Sequence, residues 1–203
     1  TGATTQAPTG LMLGTGVRIV ATEKLHAQGN MVNTGNPLDL AIVGEGFFQI
    51  AQPDGTLAYT RDGNFKLSAT RQIVTANGQL LQPAITIPAM TVTFGRDGTV
   101  SAELSTGQAQ VLGTLQLARF VNPGGLESKG QNLMKETPSS GTPQVLQPGI
   151  TGAGTLMQGT LEASNVNVVE EMVNMIETQR AYEINSKAIS AVDGMLKFMN
   201  NNL

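Results

Sequence analysis

Apolar residues recur every seven positions along the C-terminal segment, at Val168, Met175, Tyr182, Ile189 and Leu196. Met172, Val173, Ile176, Val192 and Met199 widen that stripe. A seven-residue apolar repeat keeps a seam turned toward a partner helix. The pattern therefore predicts one amphipathic helix from Asn167 to about Asn200. At about 1.5 Å per residue it runs roughly 50 Å, longer than a small domain can cover. Asn167 suits the N-cap, and Glu170 three residues on makes an Asn variant of the capping box. Glu170 and Glu171 fall in the first turn, where the helix dipole favours negative charge. Arg180, Lys187 and Lys197 follow where positive charge is better placed. Gly194 is a weak point, costing about 1 kcal/mol against Ala in an exposed helix interior.

Ahead of that helix the period changes to two. Leu38, Leu40 and Ile42 alternate with Asp39 and Ala41, as a half-buried strand does. Strands are predicted at Val17–Thr22, Leu38–Val43, Phe47–Ala51, Leu57–Thr60, Gln72–Thr75, Leu80–Leu81, Ile85–Ile87, Val92–Phe94, Thr99–Ala102 and Val111–Val121. Asp54-Gly55, Asp62-Gly63, Asn77-Gly78 and Asp97-Gly98 punctuate them. Such dipeptides predict type I′ hairpin turns, which need positive φ at both central residues. Gly44 and Gly46 mark a bend between two strands. Gly44, Gly46, Gly55, Gly63, Gly78 and Gly98 are thus the turn glycines of the body. The fold class expected is mainly β with a long C-terminal α-helix. It combines an antiparallel body of short strands and hairpins with a coiled-coil-type terminal helix.

From Asn122 to Gly159 Gly and Pro become dense, and the alternation fades. A disordered linker would not need Leu126, Leu133, Met134, Val145, Leu146, Ile150, Leu156 and Met157, so an ordered, extended return strap packed on the body is expected. The resulting division is residues 1–16 as a joining segment, 17–121 as the β-rich body, 122–163 as the strap and 164–203 as the assembly helix.

Candidate chemistry is sparse. The 203 residues include no Cys, which excludes disulfides, thiolate nucleophiles and Cys-based zinc sites. His26 is the only histidine, leaving no His pair for a metal site and no signature for a catalytic triad. Gly10–Gly16 is glycine-rich, but no Gly-Lys-Ser/Thr follows to make a phosphate loop. Gly44-Glu-Gly lacks the third glycine of a dinucleotide fingerprint. Asp54, Asp62 and Asp97 offer carboxylate pairs in principle, but their place before Gly explains them as turn residues. Net charge is −3, and the cations form no stripe for nucleic acid. No apolar run reaches the roughly 20 residues that span a membrane. The expectation is a non-enzymatic protein with no catalytic residue, cofactor or metal. The competing class is a secreted β-sandwich binding module with an oligomerising tail. It would need an aromatic platform or a carboxylate pair in a cleft, and aromatic residues are only 4% of the chain.

The segment Ser164–Ile189, SNVNVVEEMVNMIETQRAYEINSKAI, strongly resembles the C-terminal signature of bacterial flagellar rod and hook proteins. Thr34–Ile50 (TGNPLDLAIVGEGFFQI) resembles that family's strand–bend–strand unit. Tyr59–Phe65 (YTRDGNF) and Ala76–Leu80 (ANGQL) resemble its next hairpins. Gly125–Leu133 (GLESKGQNL) is more similar to the distal-rod member than to hook or proximal-rod members, which are the alternatives within the family. The resemblance implies a structural subunit that polymerises helically into a hollow drive shaft carrying torque to the hook. Implied partners are further copies, the proximal-rod and hook-side axial proteins, the periplasmic and outer-membrane rings as a bushing, and the export apparatus. Nucleic acid and direct membrane insertion are not implied. The resemblance also implies an N-terminal helix ahead of Thr1, export without a cleaved signal, and a location from periplasm to outer membrane. Without a helix to pair with α-helical residues 167–200 in cis, this chain alone is expected to be monomeric or weakly associating.

Overall fold

The computed structural model describes residues 24–88, 91–103, 109–150 and 152–201. The strand expected at Val17–Thr22, the joining segment 1–16 and Gly10–Gly16 lie outside the described residues.

The body begins with β1 (Met31–Asn33), β2 (Leu40–Val43), β3 (Phe47–Ala51), β4 (Leu57–Thr60) and β5 (Phe65–Leu67). It continues through β6 (Ile73–Thr75), β7 (Leu80–Gln82), β8 (Thr91–Phe94), β9 (Thr99–Glu103), β10 (Ala109–Thr114) and β11 (Leu117–Arg119). β12 (Glu127–Gly130), β13 (Leu133–Lys135), β14 (Gln144–Leu146), β15 (Thr155–Gln158) and β16 (Thr160–Glu162) follow, and α1 spans Val168–Asn201. All the strand pairs are antiparallel among the described residues.

The largest sheet runs β12-β13-β4-β3-β7-β6-β5, and β11 joins it by pairing with both β3 and β14. β3 is its centre. Along one edge its Phe47 and Phe48 pair with β11, while Gln49, Ile50 and Ala51 pair with β7. The other edge pairs with β4. A strand enclosed in this way is buried on both faces, and β3 reads as a continuous apolar run apart from Gln49. Phe48 and Ile50 face the larger core, with Leu40, Ile42, Phe65, Leu81, Leu117 and Leu156 among its members. Phe47 faces a smaller core of Tyr59, Ala118, Phe120 and Leu126. Edge-to-face ring pairs tie each core, Phe48 with Phe65 at 5.1 Å and Tyr59 with Phe120 at 4.8 Å between centroids.

Phe47–Ala51 and Leu57–Thr60 form as expected. Other expectations shift. Ile85–Ile87 bury two side chains but make only an isolated bridge, Thr86 to Gln72, because Pro83 and Pro88 bracket the segment. The run Val111–Val121 divides into β10, which pairs with β9, and β11, which pairs with β3 and β14 in another sheet. In the 122–163 segment the structure gives five short strands and a 3-10 turn at Pro123–Gly125. Leu126, Leu133 and Leu156 are buried there, whereas Val145, Ile150 and Met157 are exposed.

The turn type also differs from expectation. Turns 52–56, 68–72, 75–79 and 95–99 share one bonding pattern: the first N–H donates to the fifth carbonyl, and the fourth N–H to the first carbonyl. The fourth residue alone is left-handed, at Gly55 (φ 79°), Arg71 (φ 59°), Gly78 (φ 81°) and Gly98 (φ 83°). This is a type I turn closed by a bulge, not a type I′ turn. Asp54 and Asp97 stabilise it through side chains, each accepting from the N–H and hydroxyl of the Thr two residues on. The type I′ arrangement occurs instead at Gln131-Asn132, with φ of 54° and 60°. Gly63 is different again. Its φ is ordinary, but a Cβ there would collide with the Leu40 carbonyl.

Candidate functional site

The catalytic candidates resolve into turn chemistry. Asp54 and Asp97 are held below the usual carboxylate range, chiefly by the hydroxyls of Thr56 and Thr99. Asp62 accepts from the Asn64 N–H at 3.0 Å and from the Asn132 side-chain amide at 3.0 Å. The His26 ring packs edge-on against Phe47 at 5.7 Å. Among the described residues no group of three or more His, Asp and Glu side chains is placed to hold a metal ion. No helix of the described residues is long and apolar enough to cross a membrane.

The feature left is α1. The Asn167 carbonyl accepts from the Glu171 N–H at 3.0 Å, and its side-chain oxygen accepts from the Val169 N–H at 3.2 Å. The first is the opening i→i−4 bond of the helix, and the second satisfies one N–H group that a helix start otherwise leaves open. Every residue from Val168 to Met199 is exposed. That includes all nine seam positions: Val168, Met172, Met175, Ile176, Tyr182, Ile189, Val192, Leu196 and Met199, between 48% and 75% exposed. Val169, Ile184 and Met195 add exposed apolar surface outside that set. A monomeric fold rarely leaves so much contiguous apolar surface in water.

The root of α1 is tied firmly to the body. β16 pairs with β1, so the strand leading into the helix lies beside a strand from the start of the body. Arg61, from the β4–β5 loop, forms an ion pair with Glu162 at the end of β16, 2.8 Å apart with both side chains largely buried. The same guanidinium donates to the carbonyls of Gly44 (3.0 Å), Gly46 (3.3 Å) and Ile42 (3.3 Å). The other Glu162 oxygen accepts from the Gly29 N–H at 2.9 Å. Gly29 has to be glycine, because a Cβ would collide with the Ala163 carbonyl. Past β16, the Asn165 amide donates to the carbonyls of Leu25 and Ala27, both at 3.1 Å. A cleft of about 1000 Å³ opens beside this root, lined by Lys24, His26, Arg61, Asn132, Asn165 and Glu171 among others. Gly44 and Gly46, both left-handed, shape the bend that presents its carbonyls to Arg61. Arg61, Glu162 and Asn165 carry no local sequence signal, since their partners lie about 101 and 140 positions away.

Residues 41–102 match the family model described as "Flagellar hook protein FlgE/F/G D1 domain", and residues 157–202 match "Flagellar basal body rod FlgEFG protein C-terminal". The first covers β2 to β9 apart from its outermost residues; the second covers β16 and α1. The flagellar basal-body rod protein FlgG of Buchnera aphidicola subsp. Acyrthosiphon pisum is 53% identical over 197 residues, covering 95% of this chain and 75% of that protein. The chain belongs to the FlgG family of flagellar basal-body rod proteins. The FlgG of Borreliella burgdorferi is 46% identical over 199 residues, covering 96% of this chain and 75% of that protein. The flagellar hook protein FlgE of Escherichia coli is 44% identical over 105 residues, only 52% of this chain. FlgG likeness thus runs through the segment 103–156 that neither family model covers, and it singles out the rod member. FlgG-family proteins are structural components of the flagellar basal body.

Proposed function

We propose that this FlgG-family subunit polymerises helically into the distal rod, a hollow shaft that carries motor torque to the hook. What supports the reading most is α1 itself, 34 residues long and exposed along its described length, with large apolar side chains that its own body leaves uncovered. Burying such side chains against neighbours contributes about 1.5–3 kcal/mol each. Repeated at every subunit, that suffices to drive assembly.

In this reading the chain divides by role. Residues 164–203 build the inner tube around a channel through which exported subunits pass. Residues 17–121, with 122–163 folded onto them, form the outer wall. That wall turns within the periplasmic and outer-membrane rings. Proximal-rod and hook-side axial proteins join its two ends, and the type III export apparatus delivers the subunits without a cleaved signal. The rigid root at Arg61 and Glu162 suits a part that must pass torque from wall to tube.

The test is Ile189→Asp in the full-length protein. Rod assembly and motility should be lost while the β body still folds, read from motility in soft agar and from the circular dichroism of the purified chain. Normal motility with that change would overturn the assignment of α1 to assembly.

A further inference from the structure

The open strand edges of the two larger sheets are guarded, with one exception. β12 ends the largest sheet and carries Glu127 and Lys129. β5 ends the same sheet on its other side and is three residues long, with Lys66 at its centre. β14 is also three residues long, and Pro143 and Pro148 lie close on either side. In the three-stranded sheet β10-β9-β8 a side chain closes the β8 edge. The Gln158 oxygen accepts from the Phe94 N–H at 3.2 Å, and the Gln158 amide donates to the Val92 carbonyl at 2.9 Å. Charge, Pro, shortness and a covering group are the means by which folded proteins keep strand edges from pairing with other chains.

β10 has none of them at its outer end. Its six residues, AQVLGT, make it the longest strand among the described residues, and it holds no charge and no Pro. Among the described residues it pairs with β9 alone. A bulge between Val111 and Gly113 bends its inner half, while Ala109, Gln110 and Val111 keep a regular register against Glu103, Ala102 and Ser101. All three are exposed, Val111 to 64%. This end of β10 therefore meets water on both faces, with backbone along one edge that no described strand uses.

We infer that β10 pairs antiparallel with β10 of a second copy, about a two-fold axis at Gln110. Ala109 of each copy then faces Val111 of the other, and the two Gln110 side chains meet between these apolar pairs. The lack of charge is what permits this, because a charged residue at the centre would oppose its own like. The other open edges of the two sheets are guarded, so β10 finds its match in β10. The contact lies in the body and is independent of α1. Specific, stable interfaces bury about 1,200–2,000 Å² in total. A few strand residues per copy fall well below that, so the pairing forms at high concentration and reverses on dilution. A two-fold contact points its two copies in opposite directions, whereas a helical polymer repeats one screw operation. In the polymerising reading above, β10 pairing thus belongs to free subunits and competes with their addition to the shaft.

Sedimentation equilibrium of the chain carrying Ile189→Asp isolates this contact, since that change removes α1 from association. A reversible dimer is expected at high concentration. Val111→Lys in the same background should weaken it at least tenfold, with the thermal midpoint of the dilute chain unchanged. The chain has no native Cys. Gln110→Cys should therefore give an oxidised dimer at least tenfold faster than Ser128→Cys on the guarded β12 edge. In the full-length protein Val111→Lys alone should leave motility intact. A monomer at every concentration, a dimer indifferent to Val111→Lys, or equal oxidation at the two Cys positions would overturn the β10 contact. So would a lowered thermal midpoint, which would show the edge to be covered within the chain. Lost motility would place β10 inside the shaft and overturn its assignment to free subunits. The role of α1 is decided separately, by the motility of Ile189→Asp.

Discussion

Arg61 and Glu162 are 101 positions apart in sequence, yet their side chains meet at 2.8 Å beneath the root of α1. The pair is enclosed, with side-chain exposures of 17% and 9%. It also draws in backbone from two further places: the carbonyls of residues 42, 44 and 46, and the N–H of Gly29. One ion pair thus joins the strand–bend–strand unit, the start of the body and the last strand before the helix.

Breaking this pair from one side should cost more than the pair itself contributes. Arg61→Met leaves a largely buried carboxylate without its cation, a loss of about 3 kcal/mol. Glu162→Leu strands the guanidinium in the same way. The double replacement should recover part of the loss, giving a coupling of at least about 1 kcal/mol in a double-mutant cycle. Urea denaturation of the four proteins measures it. Additive single effects would show that the two side chains act separately.

Two turn glycines should respond differently to the same substitution. At Gly55 a Cβ meets open space, and only the φ of 79° resists it. Gly55→Ala should therefore cost about 1 kcal/mol. At Gly63 the φ is ordinary, but the Leu40 carbonyl occupies the place of a Cβ, and Leu40, Ala41 and Ile42 of that strand are fully buried. Gly63→Ala has to push β2 aside and should cost about 3 kcal/mol or more. Thermal melts of the two variants decide the order.

Burial pushes the Tyr59 phenol up to about 12, and the Glu136 carboxylate 3.5 Å away adds to the shift. The sign follows from proton counts. Between about pH 10, where the unfolded phenol ionises, and about pH 12, where the folded one does, the folded state holds the extra proton. Stability contributed by this group is present below pH 10 and is lost as pH rises through that window. Tyr59→Phe should flatten the fall in denaturation midpoint between pH 10 and 12. It should also remove a phenolate absorbance step centred near 12.

The strands closest to expectation are those closed by neighbours in sequence. β3 and β4 are joined by a turn at 52–56, so short apolar runs on either side of an Asp-Gly signal sufficed to place them. The turn's detailed type was not legible. Asp-Gly is compatible with both a type I′ turn and a bulged type I turn, and the strand twist on either side selects between them. β1 and β5 are short, with too few residues to display a period. β12 to β16 lie where Gly and Pro dominate. β12 pairs with its neighbour β13, but β13 to β16 take partners far away in the chain: β4, β11, β2 and β1.

The candidate site shows the same limit. The α1 start at Asn167 and the extent of the helix follow from local bonds and a local period. Whether its apolar residues are covered by the body depends on where the body ends in space.

The amino-acid sequence by itself determined the class of this protein: a β body of hairpins and a long terminal helix with an apolar repeat. Those properties reside in residue types and short spacings, where backbone geometry acts over a few neighbours. Only the tertiary structure decided that Arg61 meets Glu162, that Asn165 holds the helix root to residues 25 and 27, and that α1 stands clear of its own core. Contacts between residues a hundred positions apart leave no period in the chain. They are set when burial of the two cores brings distant strands to one sheet.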